Sequence, residues 1–387
     1  MSELNASNLR KEHGNEGPDL VGLTELTSPY FMVPPSGTTK QRPQNPQPGT
    51  LRFNTDIGSL EYFKGDTLGW EQIQRTTPNL GGGTGSNTGV GPRGIILGGE
   101  SASTGNRDII EYITISTLGN TQDFGNLVYA RRGGVGCCGS RVRGLAGGGY
   151  TGPADEEEID YYTFASLGNA ADFGDLTSKT HAGSACSTNV RGLFTGGYTG
   201  SGSVTNNICY VTIAATGNAV DYGDLSRAVR GFGSCQSTTR GIQAGGAPSN
   251  QNTIDYITMM TTGNATDYGD LTLGRDIITG GGNSTRGIFA GGRTAPASAL
   301  TNVIDYITIA TLGNAIDFGD LSAAAYMAGK SSANSPTRMV MTMPNTPSFL
   351  NTIEYVETLT TGNSIDFGDA TEAMQSNGAT SNAHGGL

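Results

Sequence analysis

Residues suited to acid–base or metal chemistry are few. Three histidines occur, His13, His181 and His384, and a two- or three-histidine metal centre would need distant segments to converge. Imidazole catalysis is therefore not expected, and no metal or other cofactor is assigned. Five cysteines, odd in number and with Cys137 beside Cys138, do not read as a disulfide framework. Cys138, Cys186 and Cys235 each stand five residues before an arginine, and Gly281, Ala333 and Ala379 fill the same place elsewhere. That is a column of small residues, in which cysteine acts as a small hydrophobe in a crowded strand rather than as a thiolate ligand.

The arginines that follow that column, Arg143, Arg191, Arg240, Arg286 and Arg338, together with Arg93, recur at equivalent places. A ring of six guanidinium groups would hold an anionic sugar or a partner's carboxylate. The competing reading pairs each with a repeat aspartate such as Asp172, Asp221 or Asp317. Recurrence in every unit favours the pairing, because a binding site usually breaks the symmetry of its scaffold. The Asp-Phe-Gly phrase is not a kinase element, since it recurs without a lysine strand or a His-Arg-Asp loop. The aspartate-rich turns lack an EF-hand's alternating ligands, so their side chains are read as turn caps. Gly81 to Gly85 is linker composition, with no Gly-Lys-Ser/Thr behind it.

The elements that position these residues come from a repeat. The pair Gly-Asn recurs at 119, 168, 217, 263, 313 and 362, with spacings of 49, 49, 46, 50 and 49. Each of the six units carries four marks in order. An arginine opens an apolar run ending in a glycine pair, as in Arg286-Gly287-Ile288-Phe289-Ala290-Gly291-Gly292, where the sixth unit substitutes Met343-Pro344. Ile-Asp/Glu-Tyr follows inside a β-branched run, then the Gly-Asn turn, then Asp-Phe/Tyr-Gly-Asp/Asn. Such runs, broken by Gly, Asn and Asp, predict short strands and turns. The 61 glycines among 387 residues also disfavour long helices.

In Val303 to Ile309 both pleat faces are apolar, which predicts a strand covered on both sides. A 49-residue unit of four such strands reads as a propeller blade between two others. The expected fold is all-β: a six-bladed propeller over 93–387, its units starting near 93, 143, 191, 240, 286 and 338. Residues 381–386 align with the segment linking a first strand to a second, so 370–387 is expected to supply the missing inner strand of blade one.

This order of strands, with its double glycine and its tyrosine, resembles the kelch repeat. The family's tryptophan is replaced by Phe124, Phe173, Tyr222, Tyr268, Phe318 and Phe367. Copper chemistry of the kind some kelch-like propellers perform needs histidines that this chain lacks.

Ahead of the repeat, 1–48 reads as an extended proline-rich arm, 49–76 as a β-hairpin and 77–92 as a glycine-rich linker. The hairpin phrase runs Gly49-Thr50-Leu51-Arg52-Phe53-Asn54-Thr55-Asp56-Ile57-Gly58-Ser59-Leu60-Glu61-Tyr62-Phe63, closing at Trp70. It resembles an element of structural proteins of tailed bacteriophages, particularly fibres and other virion appendages. The resemblance implies a virion protein, made in the host cytoplasm, that docks through Leu51, Phe53, Asn54, Tyr62, Phe63 and Trp70 onto other virion proteins and is present in several copies.

A net charge of -11 disfavours nucleic acid and anionic membranes as partners, and no run of about 20 apolar residues suggests a membrane span. The functional expectation is a non-enzymatic virion protein whose propeller contacts other proteins or a host-surface glycan. The alternative is a carbohydrate-binding or carbohydrate-active propeller enzyme, which would need unit-specific acids at one mouth. The segments that vary between units, Tyr150 to Glu158, Tyr198 to Thr205, Arg293 to Thr301 and Pro344 to Asn351, all follow the glycine pair and are the expected contact face.

Overall fold

A computed structural model describes residues 34–56, 59–72, 91–133, 136–295, 298–327, 332–342, 344–345 and 348–387. The first 33 residues of the arm and residues 77–90 of the linker lie outside that set. The chain divides into two units, Met1–Thr77 and Pro78–Leu387. The described residues form β-strands, almost all antiparallel, and one 3-10 turn. No helix among them is long and apolar enough to cross a membrane.

In the first unit the strands Leu51–Asn54, Ser59–Phe63 and Trp70–Gln72 form an antiparallel sheet. The arm was expected to be extended through residue 48, but Ser36–Gly37 adds to this sheet as a parallel strand and Thr39–Gln41 makes the 3-10 turn. Backbone pairing of Ser36 with Phe53 and the Arg52 guanidinium on the Thr38 carbonyl, at 3.0 Å, hold it there.

The second unit contains six repeating sheets. The second is typical: an inner strand Gly136–Gly139, then Arg143–Gly147, Glu158–Thr163 and an outer strand Ala171–Asp175. The first sheet takes its inner strand from the other end of the sequence, where Gly378–Ser381 pairs with Arg93–Leu97. In each of these six sheets the outer pairing slips at an equivalent place, and in the sixth it slips at a second place as well. Ile159 faces Gly174 and Asp160 faces Asp172, leaving Phe173 as the extra residue of a β-bulge. The same slip recurs in the other five sheets. The Asp-Phe/Tyr-Gly phrase is thus a bulge that turns its aromatic inward, edge-on to the tyrosine of the third strand, as Phe173 meets Tyr161 at 6.1 Å.

Each Gly-Asn turn joins two sheets. Gly168 N–H donates to the Phe124 carbonyl at 2.8 Å, and Asn169 Oδ1 accepts from Asn126 N–H at 3.1 Å. The pattern continues to the sixth sheet and returns to the first, where Gly119 N–H donates to Phe367 and Asn120 Oδ1 accepts from Asp369 N–H. The glycine after the aromatic is dictated by this approach: Gly223 has φ +144°, and a Cβ there would stand 2.6 Å from the Gly263 oxygen.

The core is partitioned accordingly. Among the described residues six apolar clusters lie between successive sheets, one of them joining Ile113 and Ile115 of the first to Val340, Tyr355 and Phe367 of the sixth. The six inner strands also contact one another in cyclic order.

Candidate functional site

The structure gives the recurring arginines contacts that neither sequence reading named. Each lies over the tyrosine of its own third strand: Arg143 is 4.5 Å from the Tyr161 ring centre, Arg240 4.7 Å from Tyr256 and Arg286 4.5 Å from Tyr306. Each also donates through Nη1 to a backbone carbonyl of the next sheet, Arg143 to Ile213, Arg191 to Met260, Arg240 to Ile309, Arg286 to Thr358, Arg338 to Ile115 and Arg93 to Phe164. Among the described residues none pairs with Asp172, Asp221 or Asp317. Their planar forks are committed to seams between sheets instead of to a shared anion site.

The inner-facing acids take other cations. Asp160, Asp255 and Asp305 form ion pairs with Arg131, Arg227 and Arg275, at 3.0, 2.8 and 2.8 Å, each arginine coming from the segment that leaves the preceding sheet. Burial pushes these carboxyls up while the neighbouring arginine pulls them back. Glu111 and Glu354 occupy the same place in the first and sixth sheets and bind Thr371 and Ser322. In the third sheet Cys209 stands there, so the acid does not recur in all six units. All five cysteines are free and buried, and burial raises Cys137 and Cys186 to about 12, which leaves them inert packing groups. Among the described residues no cluster of His, Cys, Asp and Glu has metal-ligand geometry.

At one end of the inner strands the C-terminal tail crosses the middle. His384 is buried, its Nε2–H donating 2.9 Å to the Gly139 carbonyl and its Nδ1 accepting 2.9 Å from Gln236 Nε2, contacts that span the second and fourth sheets. Burial lowers its pKa to about 4, so the ring is neutral.

The opposite end is open and does not follow the repeat. Among the described residues, five of the six inner strands are preceded there by a residue in the left-handed region: Gly133, Ala182 (φ 57°), Gly231, Ile277 (φ 51°) and Ser376 (φ 57°). Four of them are chained by three backbone bonds, Ala182 N–H to Gly133, Gly231 N–H to Ala182 and Ile277 N–H to Gly231. For a β-branched isoleucine this conformation is an outlier of the kind that concentrates at functional sites. These residues rim a cavity of about 480 Å³ whose walls include Arg132, Tyr150, His181, Tyr198, Arg230 and Tyr326. That size falls within the roughly 300–1,000 Å³ of small-ligand sites.

Two short columns supply the walls. One is the residue just before the left-handed position (Arg132, His181, Arg230, Asp276). The other is the residue just after the glycine pair (Glu100, Tyr150, Tyr198, Ala247, Arg293). Backbone bridges join them, Arg132 to Tyr150, His181 to Tyr198, Arg230 to Ala247 and Asp276 to Arg293. Three of the variable segments begin on the second column, and the first residues of two of them, Tyr150 and Tyr198, line this mouth. The first column went unread in the sequence, although its divergence against the six-fold repeat was the available signal.

The side chains stack in a run. Arg132 lies 5.4 Å from the Tyr150 ring, Tyr150 5.6 Å from His181, His181 5.3 Å from Tyr198, and Arg230 5.5 Å from Tyr198. Tyr326 faces them under Arg293 at 5.9 Å. The acids at the mouth are each bonded to a basic side chain: Glu100 to Arg132, Asp155 to His181 at 2.7 Å, and Asp276 to Arg293 at 2.7 Å. Among the described residues Arg230 has no carboxylate partner.

In the first unit the six proposed docking residues separate by strand alternation. Asn54 and Phe63 are buried with Arg52 and Glu61. Glu61 accepts from Arg42 at 2.6 Å, Arg52 at 3.0 Å and Asn54 at 3.0 Å, with both arginines over Trp70. These residues hold the small sheet together and are not a free surface. Leu51, Phe53 and Tyr62, with Leu60 between them, form the other, partly exposed face.

No protein-family model matches the chain, and no curated protein matches it.

Proposed function

We propose that the chain is a non-enzymatic recognition protein of a tailed-phage virion: a six-bladed, kelch-like β-propeller over residues 93–387, carried on an N-terminal attachment unit. The observation that carries it is the contrast between a six-fold scaffold and one end where the repeat is broken by aromatic and basic side chains. Scaffold contacts repeat because each seam needs the same lock. Side chains that differ from unit to unit around one mouth answer to something outside the scaffold. Binding fits better than catalysis, since Glu100, Asp155 and Asp276 are each engaged by a basic partner and are not poised as an acid–base pair.

The virion assignment rests on the Gly49-to-Trp70 phrase. Its polar side chains are used internally, around Glu61, and its apolar face, Leu51, Phe53, Leu60 and Tyr62, is left to dock on other virion proteins in several copies. The propeller then meets a host-surface glycan or protein. Complementation of a phage lacking this gene tests the reading. The full chain should be incorporated into particles, and a chain lacking residues 1–75 should not. Incorporation of the truncated chain refutes the docking role, and failure of both refutes the virion assignment.

A further inference from the structure

We infer that the open mouth binds a carboxylated sugar, with Arg230 receiving the carboxylate and the tyrosine walls receiving the ring. The inference rests on the recognition reading above and names its ligand class.

In an acidic chain of net charge -11, the mouth gathers Arg132, Arg230 and His181. Arg132 is neutralised by Glu100 and His181 faces Asp155, which leaves Arg230 as the guanidinium without an acidic partner among the described residues. It is held over the Tyr198 ring, a placement that restricts the side chain before any ligand arrives. A guanidinium fixed in this way presents its N–H fork to a planar anion, and carboxylate is the anion that matches it bidentately.

Shape supplies the rest. Tyr150 and Tyr198 stand on one side and Tyr326 on the other, around about 480 Å³. Pyranose rings carry an apolar C–H face that packs on aromatic rings and hydroxyl edges that take hydrogen bonds, and tyrosine offers both an apolar body and a polar tip. Ile277, half-buried in its left-handed conformation, gives the cavity an apolar patch between the walls. A peptide strand would need open backbone edges at the mouth, yet the N–H groups of Ala182, Gly231 and Ile277 are already used.

The test is calorimetric titration of the full chain with sialyllactose and tetragalacturonate, each beside its methyl-ester counterpart. At least one acid should bind, its ester should bind tenfold or more weakly, and Arg230→Gln should weaken the acid by roughly tenfold to a hundredfold. Tyr326→Ala, on the opposite wall, should weaken acid and ester alike. Equal binding of acid and ester, or unchanged binding by Arg230→Gln, overturns the carboxylate assignment. No binding of either acid at millimolar concentration overturns the site. Incorporation of Arg230→Gln into particles at the full-chain level keeps the attachment reading separate, because that reading does not involve the mouth.

Discussion

Arg143 lies 4.5 Å over the ring of Tyr161 while its Nη1 donates 2.9 Å to the carbonyl of Ile213, one sheet further on. One side chain thus braces its own sheet and fastens the next. Lysine keeps the charge but cannot stack a planar fork and donate sideways at once. Arg143→Lys should lower the unfolding free energy by about 1–2 kcal/mol, from the loss of one cation–π contact and one hydrogen bond from a charged donor. Urea denaturation reads this as an earlier midpoint at unchanged slope, and an unchanged midpoint would show that the seam does not depend on the arginine.

Asp305 and Arg275 are both fully buried and 2.8 Å apart, with Thr272 Oγ1 also donating to the carboxylate at 2.5 Å. Asp305→Ala leaves a guanidinium in the core without its counter-charge, a change that costs about 3–5 kcal/mol. Arg275→Met on the same background should recover a large part of it, since an apolar pair of similar volume often replaces a buried ion pair with little loss. A double variant no more stable than Asp305→Ala would refute the pairing as the source of the effect.

The repeat made the all-β class legible, because a β-branched run beside Gly-Asn can be read from residue types alone. The partners of the arginines could not be read that way. Arg143 meets Ile213 through a backbone carbonyl 70 residues away, and a carbonyl has no sequence signature. The aspartates looked equivalent in sequence, but Asp160 on the third strand is buried against Arg131, while Asp172, beside the bulge at Phe173 on the outer strand, is exposed. In the hairpin, strand alternation already separates Asn54 and Phe63 from Leu51 and Tyr62. What it could not supply is that the buried side is the polar one, gathered around Glu61. At the mouth, Tyr150 and Tyr198 were visible as the first residues of variable segments, whereas Arg132, His181 and Arg230 had no motif to mark them.

Residues Gly378–Ser381 are the inner strand of the first sheet, and His384 lies beyond them across the middle. A chain ending at Asn377 would leave one edge of Arg93–Leu97 unpaired and expose the apolar residues Ile95 and Ile96, which are now buried. Its melting temperature should fall by more than 10 °C, given that about 1 kcal/mol shifts a domain of 150–250 residues by roughly 2–4 °C. An unchanged melting temperature would show that the tail is dispensable.

The neutral ring of His384 makes that closure sensitive to acid. Its pKa falls from the ordinary 6.5 to about 4 on burial, so between those values the unfolded chain binds a proton that the folded chain refuses. Stability from this group is complete above pH 6.5 and declines as the pH drops toward 4. The charged ring would also lose the Nδ1 lone pair that now accepts from Gln236 and from Gly386 N–H. Comparing His384→Gln with the parent from pH 7 to 4 should show the parent losing more stability over the window, and parallel curves would refute the linkage.

Glu61 carries a dependence of the same sign in the first unit. The hydrogen bond from Arg42, then Asn54 and the charge of Arg52, hold its carboxyl below the usual carboxylate range in spite of burial. The folded group releases its proton more readily than the unfolded one, so its stabilisation is present above the ordinary carboxylate pKa and is lost as pH falls through the lowered value. Glu61→Gln removes the charge that two arginines share and leaves buried Arg52 uncompensated, which should cost the small sheet about 3 kcal/mol or more. Because the sheet and the repeat are separate units, hydrogen exchange resolves the effect. Amides of Leu51–Asn54 and Ser59–Phe63 should lose protection in the variant while those of Arg240–Ala244 keep theirs. Equal protection of the hairpin in both proteins would mean that the apolar contacts of Phe63 with Trp70, at 5.5 Å, suffice without the carboxylate.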